Sequence, residues 1–133
     1  MLAKADLTRD GVRNWPHKGR RGDDHYYVYA IVCSQNNKRY VGCTHNPRKR
    51  AWEHISELKR NAHVVEDLQT DFNKYGQNAF HIELLGKYYG GVAQTTYERD
   101  WMDYFMSYIR ARGYNYRDSI CTKRKEIIAN YGR

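Results

Sequence analysis

Tyr26 to Cys33 is an unbroken apolar run of eight residues, dense in the aromatic and β-branched side chains that favour strands. Lys38-Arg39-Tyr40-Val41-Gly42-Cys43 follows it. Between them lies Ser34-Gln35-Asn36-Asn37, whose asparagines tolerate the positive φ of a tight turn. The pattern predicts a β-hairpin. With Asn36-Asn37 as a two-residue loop, Gln35 pairs with Lys38, Cys33 with Tyr40 and Ile31 with Gly42. Tyr29 and Tyr40 then share one face of the sheet. The same run is far too short for the roughly 18–20 residues a membrane span needs, so no membrane partner is expected.

Helical signals come next. Asn46-Pro47 places a capping side chain ahead of proline at the first helical position, and predicts a helix from Pro47 to about Arg60. Ala51, Ile55 and Leu58 form its apolar stripe, with Arg50, His54 and Glu57 on a neighbouring polar face. A second helix fits Val64 to Tyr75, turning Val65, Leu68 and Phe72 inward and ending at Gly76. Phe80 to Leu85 alternates as a third strand, and Gly90-Gly91 breaks the chain. Thr95 and Glu98 have capping-box spacing at the start of a third helix, which carries Trp101, Phe105 and Tyr108 inward and stops near Gly113. Thr122 to Asn130 suits a last short helix. The expected fold is α/β, of the α+β kind: a small three-stranded antiparallel sheet flanked by helices, in the order β-β-α-α-β-α, with a short C-terminal helix.

The chain of 133 residues has room for one domain, and its 41% hydrophobic and 29% charged residues suit a folded core. Residues 1–25 lack apolar periodicity. Arg13, His17, Lys18, Arg20 and Arg21 cluster there around Trp15-Pro16, and the segment reads as a basic arm ahead of a domain spanning 26–133. From Arg110 onward seven Lys or Arg stand against two acids, a basic tail that includes Lys123, Arg124 and Lys125. The formal charge is +8, with 13 tyrosines beside three Phe and three Trp. Such a balance points to a polyanionic partner met through phosphate contacts, and tyrosine suits a wet, phosphate-facing surface. Three cysteines without paired spacing predict reduced thiols and a cytoplasmic setting, and no basic-then-apolar leader opens the sequence. Zinc is not expected, because Cys43-Thr44-His45 has no second ligand pair at finger spacing.

Tyr27-Val28-Tyr29, followed eleven residues after Tyr29 by Tyr40-Val41-Gly42, resembles the two halves of the GIY-YIG nuclease signature. The likeness continues through Arg50, His54, the helix Glu98-Arg99-Asp100-Trp101 and the closing Gly113-Tyr114-Asn115. Phe72-Asn73-Lys74-Tyr75-Gly76 with Phe80 resembles the family's central helix-to-strand junction. The spacing is most similar to the catalytic domain of phage intron homing endonucleases, which also place a lysine at the Lys49 position and a histidine at the His63 position. One departure is plain: Tyr27 stands where the signature has its first glycine.

The resemblance implies a DNA endonuclease that depends on a divalent metal, Mg²⁺ or Mn²⁺, with Tyr29, Tyr40, Arg50, His54, Glu98 and Asn115 as its catalytic set. Glu98 would be the metal ligand, since a lone carboxylate suits one Mg²⁺ that keeps waters and takes phosphate oxygens. Arg50 would grip the scissile phosphate with its planar fork. One tyrosine would orient or deprotonate the attacking water. A phenol of pKa about 10 is only about 0.1% ionised at pH 7, so Lys49, His54 or the metal must assist. Asn115 would donate to a phosphate or tie tyrosine to glutamate. Lys49, His63 and the basic residues of both ends would contact DNA, with the protein acting as monomer or homodimer. Taken singly, each residue has an ordinary reading: a helix cap for Glu98, an exposed helix face for Arg50 and His54, cross-strand packing for the tyrosines. The competing function is a non-catalytic, tyrosine-rich nucleic-acid-binding module, in which tyrosines stack on bases. A nuclease directed at RNA or at branched structures is a third reading.

Overall fold

In the computed structural model, which describes residues 1–17, 25–89 and 94–116, the apolar run becomes the central strand β2 (His25–Cys33). Every residue of β2 after His25 is buried, because helices cover both faces of the sheet. That is why its apolar residues run on without alternating. The sheet is antiparallel and has four strands, in the order β1 (Ala3–Asp6), β4 (Phe80–Tyr89), β2, β3 (Arg39–Thr44). The expected three strands are present. The fourth, β1, is an edge strand that pairs with β4 from Ala3 opposite Leu84 to Asp6 opposite His81.

The hairpin forms with a longer turn than the sequence suggests. Cys33 and Lys38 close it, Asn37 takes the positive φ of 59°, and Ser34 to Asn37 make a four-residue loop. Tyr29 therefore pairs with Gly42, and Ile31 with Tyr40, two residues from the expected register. A shift of two preserves side-chain parity, so Tyr29 and Tyr40 still share a face.

On that face, α1 (Pro47–Lys59) and α2 (Glu66–Tyr75) pack through Ala51, Ile55, Leu58 and Leu68 against Tyr29, Ile31, Ile82 and Leu84. Asn46 caps α1 by accepting from the Lys49 N–H at 3.1 Å. Gly76, at φ 85°, ends α2 as expected, and a 3₁₀ turn (Gln77–Ala79) leads into β4. The opposite face, with Val28, Ala30, Val32 and Val41, is covered by Met102 of α3 (Gln94–Phe105) and by Tyr108. Helix α3 stops at Phe105, well before Gly113, where Met106 turns left-handed at φ 55°. Tyr108 still reaches the core from the irregular segment beyond.

The N-terminal segment departs most from expectation. Read as an arm, its first seventeen residues instead contribute β1 and three buried side chains: Leu7, Val12 and Trp15. The Arg48 backbone N–H donates to Pro16 O at 3.0 Å, and the Arg48 guanidinium to Arg13 O at 3.0 Å, so the segment is laced to the start of α1. Arg13 itself is exposed and pairs with Asp10. Lys18, Arg20, Arg21, Gly90-Gly91, Lys123, Arg124, Lys125 and the helix expected at 122–130 lie outside the described residues. No helix among the described residues is long and apolar enough to cross a membrane.

Trp15→Ala should destabilise the protein by about 3 kcal/mol, as large-to-small core changes do. The thermal midpoint should fall by roughly 10 °C, whereas exposed Leu2→Ser leaves it unchanged. Equal midpoints for the two variants would return the segment to the status of an arm.

Candidate active site

Strands β2 and β3 deliver two phenols to the same place. Tyr29 and Tyr40 have ring centroids 6.5 Å apart, and His54 of α1 stands 5.5 Å from each. His63, in the turn between α1 and α2, stacks on His54 at 5.0 Å. The Tyr29 hydroxyl and His54 Nε2 are 2.6 Å apart, and His54 Nδ1 lies 2.8 Å from His63 Nε2. Gly42 makes the arrangement possible: the Tyr29 hydroxyl lies over it, and a Cβ there would collide with the phenol. The glycine of the second half-signature thus has a steric reason that follows directly from Tyr29.

Arg50 projects from the first turn of α1, half-buried, and its guanidinium donates to Glu53 at 2.9 Å. Its charge also acts on the Tyr29 phenol, favouring the ionised form. Burial opposes the Arg50 charge, but the Tyr29 phenol and the Glu53 carboxylate outweigh it and raise the pKa. Tyr29 is 2% exposed. Burial pushes its phenol well above the ordinary range, with Tyr40 and the Glu98 carboxylate acting the same way and Arg50 against them. Glu98, half-buried on α3, therefore makes itself felt at the phenol from the other layer of the fold. Both histidines are held neutral. Burial lowers His54 well below the usual histidine value, aided by Arg50 and His63, and burial with Arg50 lowers His63 to about 4.

Asn115 does not reach into this cluster. Its side chain accepts from the Val41 N–H at 2.8 Å and donates to Val41 O at 2.9 Å, pairing with the outer edge of β3 as a neighbouring strand would. These two bonds give the amide a structural task on β3, beside the expected roles of phosphate donor or Tyr–Glu tie. The rest of the motif supports it. Gly113 leaves no room for a Cβ against the Ser107 backbone, and the Tyr114 hydroxyl donates to Asp71 at 2.7 Å. The Tyr114 N–H donates to Arg39 O at 2.9 Å. Asn115 thus holds the strand between Tyr40 and Gly42. Tyr27, standing in place of the signature's first glycine, packs into the core beneath α1 and α2 with Lys87 5.8 Å above its ring.

Lys49 is exposed, at the mouth of a groove along α1 lined also by Arg9, Trp52 and Arg60. His63, expected to contact phosphate or to serve structure, is buried behind His54. A cleft of about 200 Å³ opens beside Tyr40, lined by Val65, Glu66, Tyr114, Asn115 and Tyr116. Sequence reasoning missed Val65 and Gln69, which hold His63: the Val65 N–H lies 3.1 Å from His63 Nδ1, and Gln69 accepts the His63 N–H at 3.0 Å. No sequence signal marks a backbone amide for such a task.

Among the described residues, the grouping of three metal-capable side chains is His54, Glu57 and His63, within 4.8 Å of one another. Glu98 is not part of it. A half-buried carboxylate offers the hard oxygen donors that suit a Mg²⁺-class ion, which draws its other ligands from water and phosphate.

A family model described as the GIY-YIG catalytic domain matches residues 25–115. Two solved structures are similar. The catalytic domain of homing endonuclease I-TevI is 30% identical with a TM-score of 0.61, the match covering 67% of this chain and 95% of that one. A second, of the same domain of intron endonuclease I-TevI in a glutamate-to-alanine variant, is 29% identical with a TM-score of 0.63, covering 71% and 96%. No curated protein matches the chain significantly. The matched stretch begins with β2 and ends at the asparagine that pins β3, and by that match the chain belongs to the GIY-YIG family of nucleases.

Proposed function

We propose that this domain hydrolyses phosphodiester bonds in DNA, with a divalent cation held at Glu98. The observation that supports the reading best is the convergence on Tyr29: His54 lies 2.6 Å from its hydroxyl, while the charges of Arg50 and Glu98 both act on the phenol. Phosphoryl chemistry needs these parts. Added negative charge at phosphorus calls for a fixed cation, which Arg50 supplies through a fork suited to two phosphate oxygens. The attacking water needs an oriented partner, and Tyr29 and Tyr40 offer hydroxyls from one sheet face. Mg²⁺ or Mn²⁺, when bound, would neutralise phosphate charge and ease departure of the leaving oxygen. Asn115 acts through β3, keeping Tyr40 and Gly42 in register with Tyr29.

DNA as the substrate is supported by the +8 charge and by the homing endonuclease named among the similar structures. Exposed Arg13 and Lys49 would contribute backbone contacts, together with Lys18, Arg20, Arg21, Lys123, Arg124 and Lys125. One site cuts one strand, so a double-strand break would take a homodimer or two visits by a monomer.

Glu98→Gln and Arg50→Lys should each lower cleavage of plasmid in Mg²⁺ by at least about 100-fold while circular dichroism and thermal midpoint stay at wild-type values. Full activity in either variant would sink the assignment. Binding without cutting in any metal would instead favour the nucleic-acid-binding module. Replacing Arg13, Lys18, Arg20 and Arg21 together by glutamine should reduce the slope of log affinity against log salt by about 3.6, given roughly 0.9 per phosphate contact. An unchanged slope would remove the N-terminal basic residues from the interface.

A further inference from the structure

Three hydrogen bonds run in series to the Tyr29 hydroxyl, and their far end has only one possible direction. The Val65 backbone N–H lies 3.1 Å from His63 Nδ1. A backbone amide can only donate, so His63 Nδ1 accepts and carries no proton. His63 is neutral, so its proton sits on Nε2, which faces His54 Nδ1 at 2.8 Å. His54 Nδ1 must then accept. His54 is neutral too, so its proton is on Nε2, 2.6 Å from the Tyr29 oxygen.

We propose that the Val65 amide, acting through His63, fixes His54 as a hydrogen-bond donor to Tyr29. His54 then does not take the Tyr29 proton, and His63 is a positioning residue for the reaction. The Tyr29 oxygen accepts from His54, so its own O–H points away from that ring, and the positive charge of Arg50 acts on the same phenol. Tyr29 offers its proton outward, as a donor, and passes nothing inward.

The surroundings hold this direction in place. Gln69 accepts the His63 N–H at 3.0 Å and donates to Leu58 O at 3.0 Å and to Asn73 at 2.9 Å, which fixes the turn that carries Val65. Glu57 Oε2 lies 3.9 Å from His63 Nε2, the ring atom that bears the proton. The amide also decides against the alternative use of this cluster. His54, Glu57 and His63 are spaced for a transition metal. With Nδ1 already accepting from Val65, however, His63 Nε2 could ligate only as an imidazolate.

The kinetic part of this inference rests on the nuclease reading; the tautomers do not. Long-range ¹H–¹⁵N correlation on the labelled full chain at pH 7 should show both His54 and His63 protonated at Nε2 and bare at Nδ1. A proton on His54 Nδ1, or a cationic ring at either position, would overturn the proposal, whatever the protein does to DNA. Two substitutions add a functional readout. His63→Gln keeps an N–H donor facing His54, whereas His63→Glu presents an acceptor and should turn His54 to its Nδ1-protonated form. With both variants folded by circular dichroism, kcat for the glutamate variant should fall below that of the glutamine variant by on the order of 100-fold, with KM alike. Equal losses in the two would make His63 a packing residue and end the positioning role. A wild-type protein that cuts nothing would sink the nuclease reading and leave the tautomer measurement to decide this one.

Discussion

Tyr29 sits on a strand covered from both faces, with 2% of its surface exposed, and its hydroxyl must find partners inside the protein. An unpaired buried hydroxyl costs about 1–3 kcal/mol, so the surrounding elements are arranged to supply them. His54 and Arg50 come from one helix at i+4 and i, which puts both on the same face, His54 at the hydroxyl and Arg50 near enough for its charge to act on the phenol. Gly42 clears the space above the ring. Removing His54 would orphan the buried hydroxyl, and a Cβ at Gly42 would collide with the phenol.

That demand ties the site to parts of the fold that carry no chemistry. Helix α1 must be held at a fixed height over β2 and β3, and its first turn is anchored by Asn46, by Pro16 and by the Arg48 contact to Arg13. The N-terminal segment thereby belongs to the support of Arg50 and His54. On the far edge, Asn115 gives β3 the partner that an edge strand lacks. The family match ends at Asn115 but starts only at residue 25, so β1, Leu7, Val12 and Trp15 stand outside the matched stretch and still help seal the layer in which the site lies.

Electrostatics follows from the same burial. A guanidinium beside two imidazoles in a dry layer drives both neutral. Neutral histidines have definite tautomers, which is how one backbone amide can set the role of a side chain two rings away. Burial is the larger cause and Arg50 adds to it, so a wet layer would let these rings charge more readily and the direction of the chain would be lost.

The hairpin shows how much of this was legible. The register lies two residues from the expected one, because four polar residues in a row do not say which of them form the loop. The conclusion that Tyr29 and Tyr40 share a face survived, since strand parity depends only on odd or even spacing. Helix α1 was readable from Asn46-Pro47 and its apolar stripe, because capping and periodicity are local. The segment with Leu7, Val12 and Trp15 was not readable. Its apolar residues sit on irregular turns, with no period to detect, and only the core they fill gives them meaning. The partners of Asn115 and His63 could not be read from the sequence, since they lie 74 and 9 residues away along the chain.

By itself, then, the sequence determined the helix-and-strand order of the matched region, the face shared by the two phenols and the residue types available for phosphate chemistry, all of which rest on neighbours a few positions apart. Tertiary structure alone decided which oxygen His54 meets, that the asparagine serves a strand edge and that β1 joins the sheet. Those outcomes depend on which distant groups share one buried layer, where an unmatched polar atom is costly and a Cβ needs room.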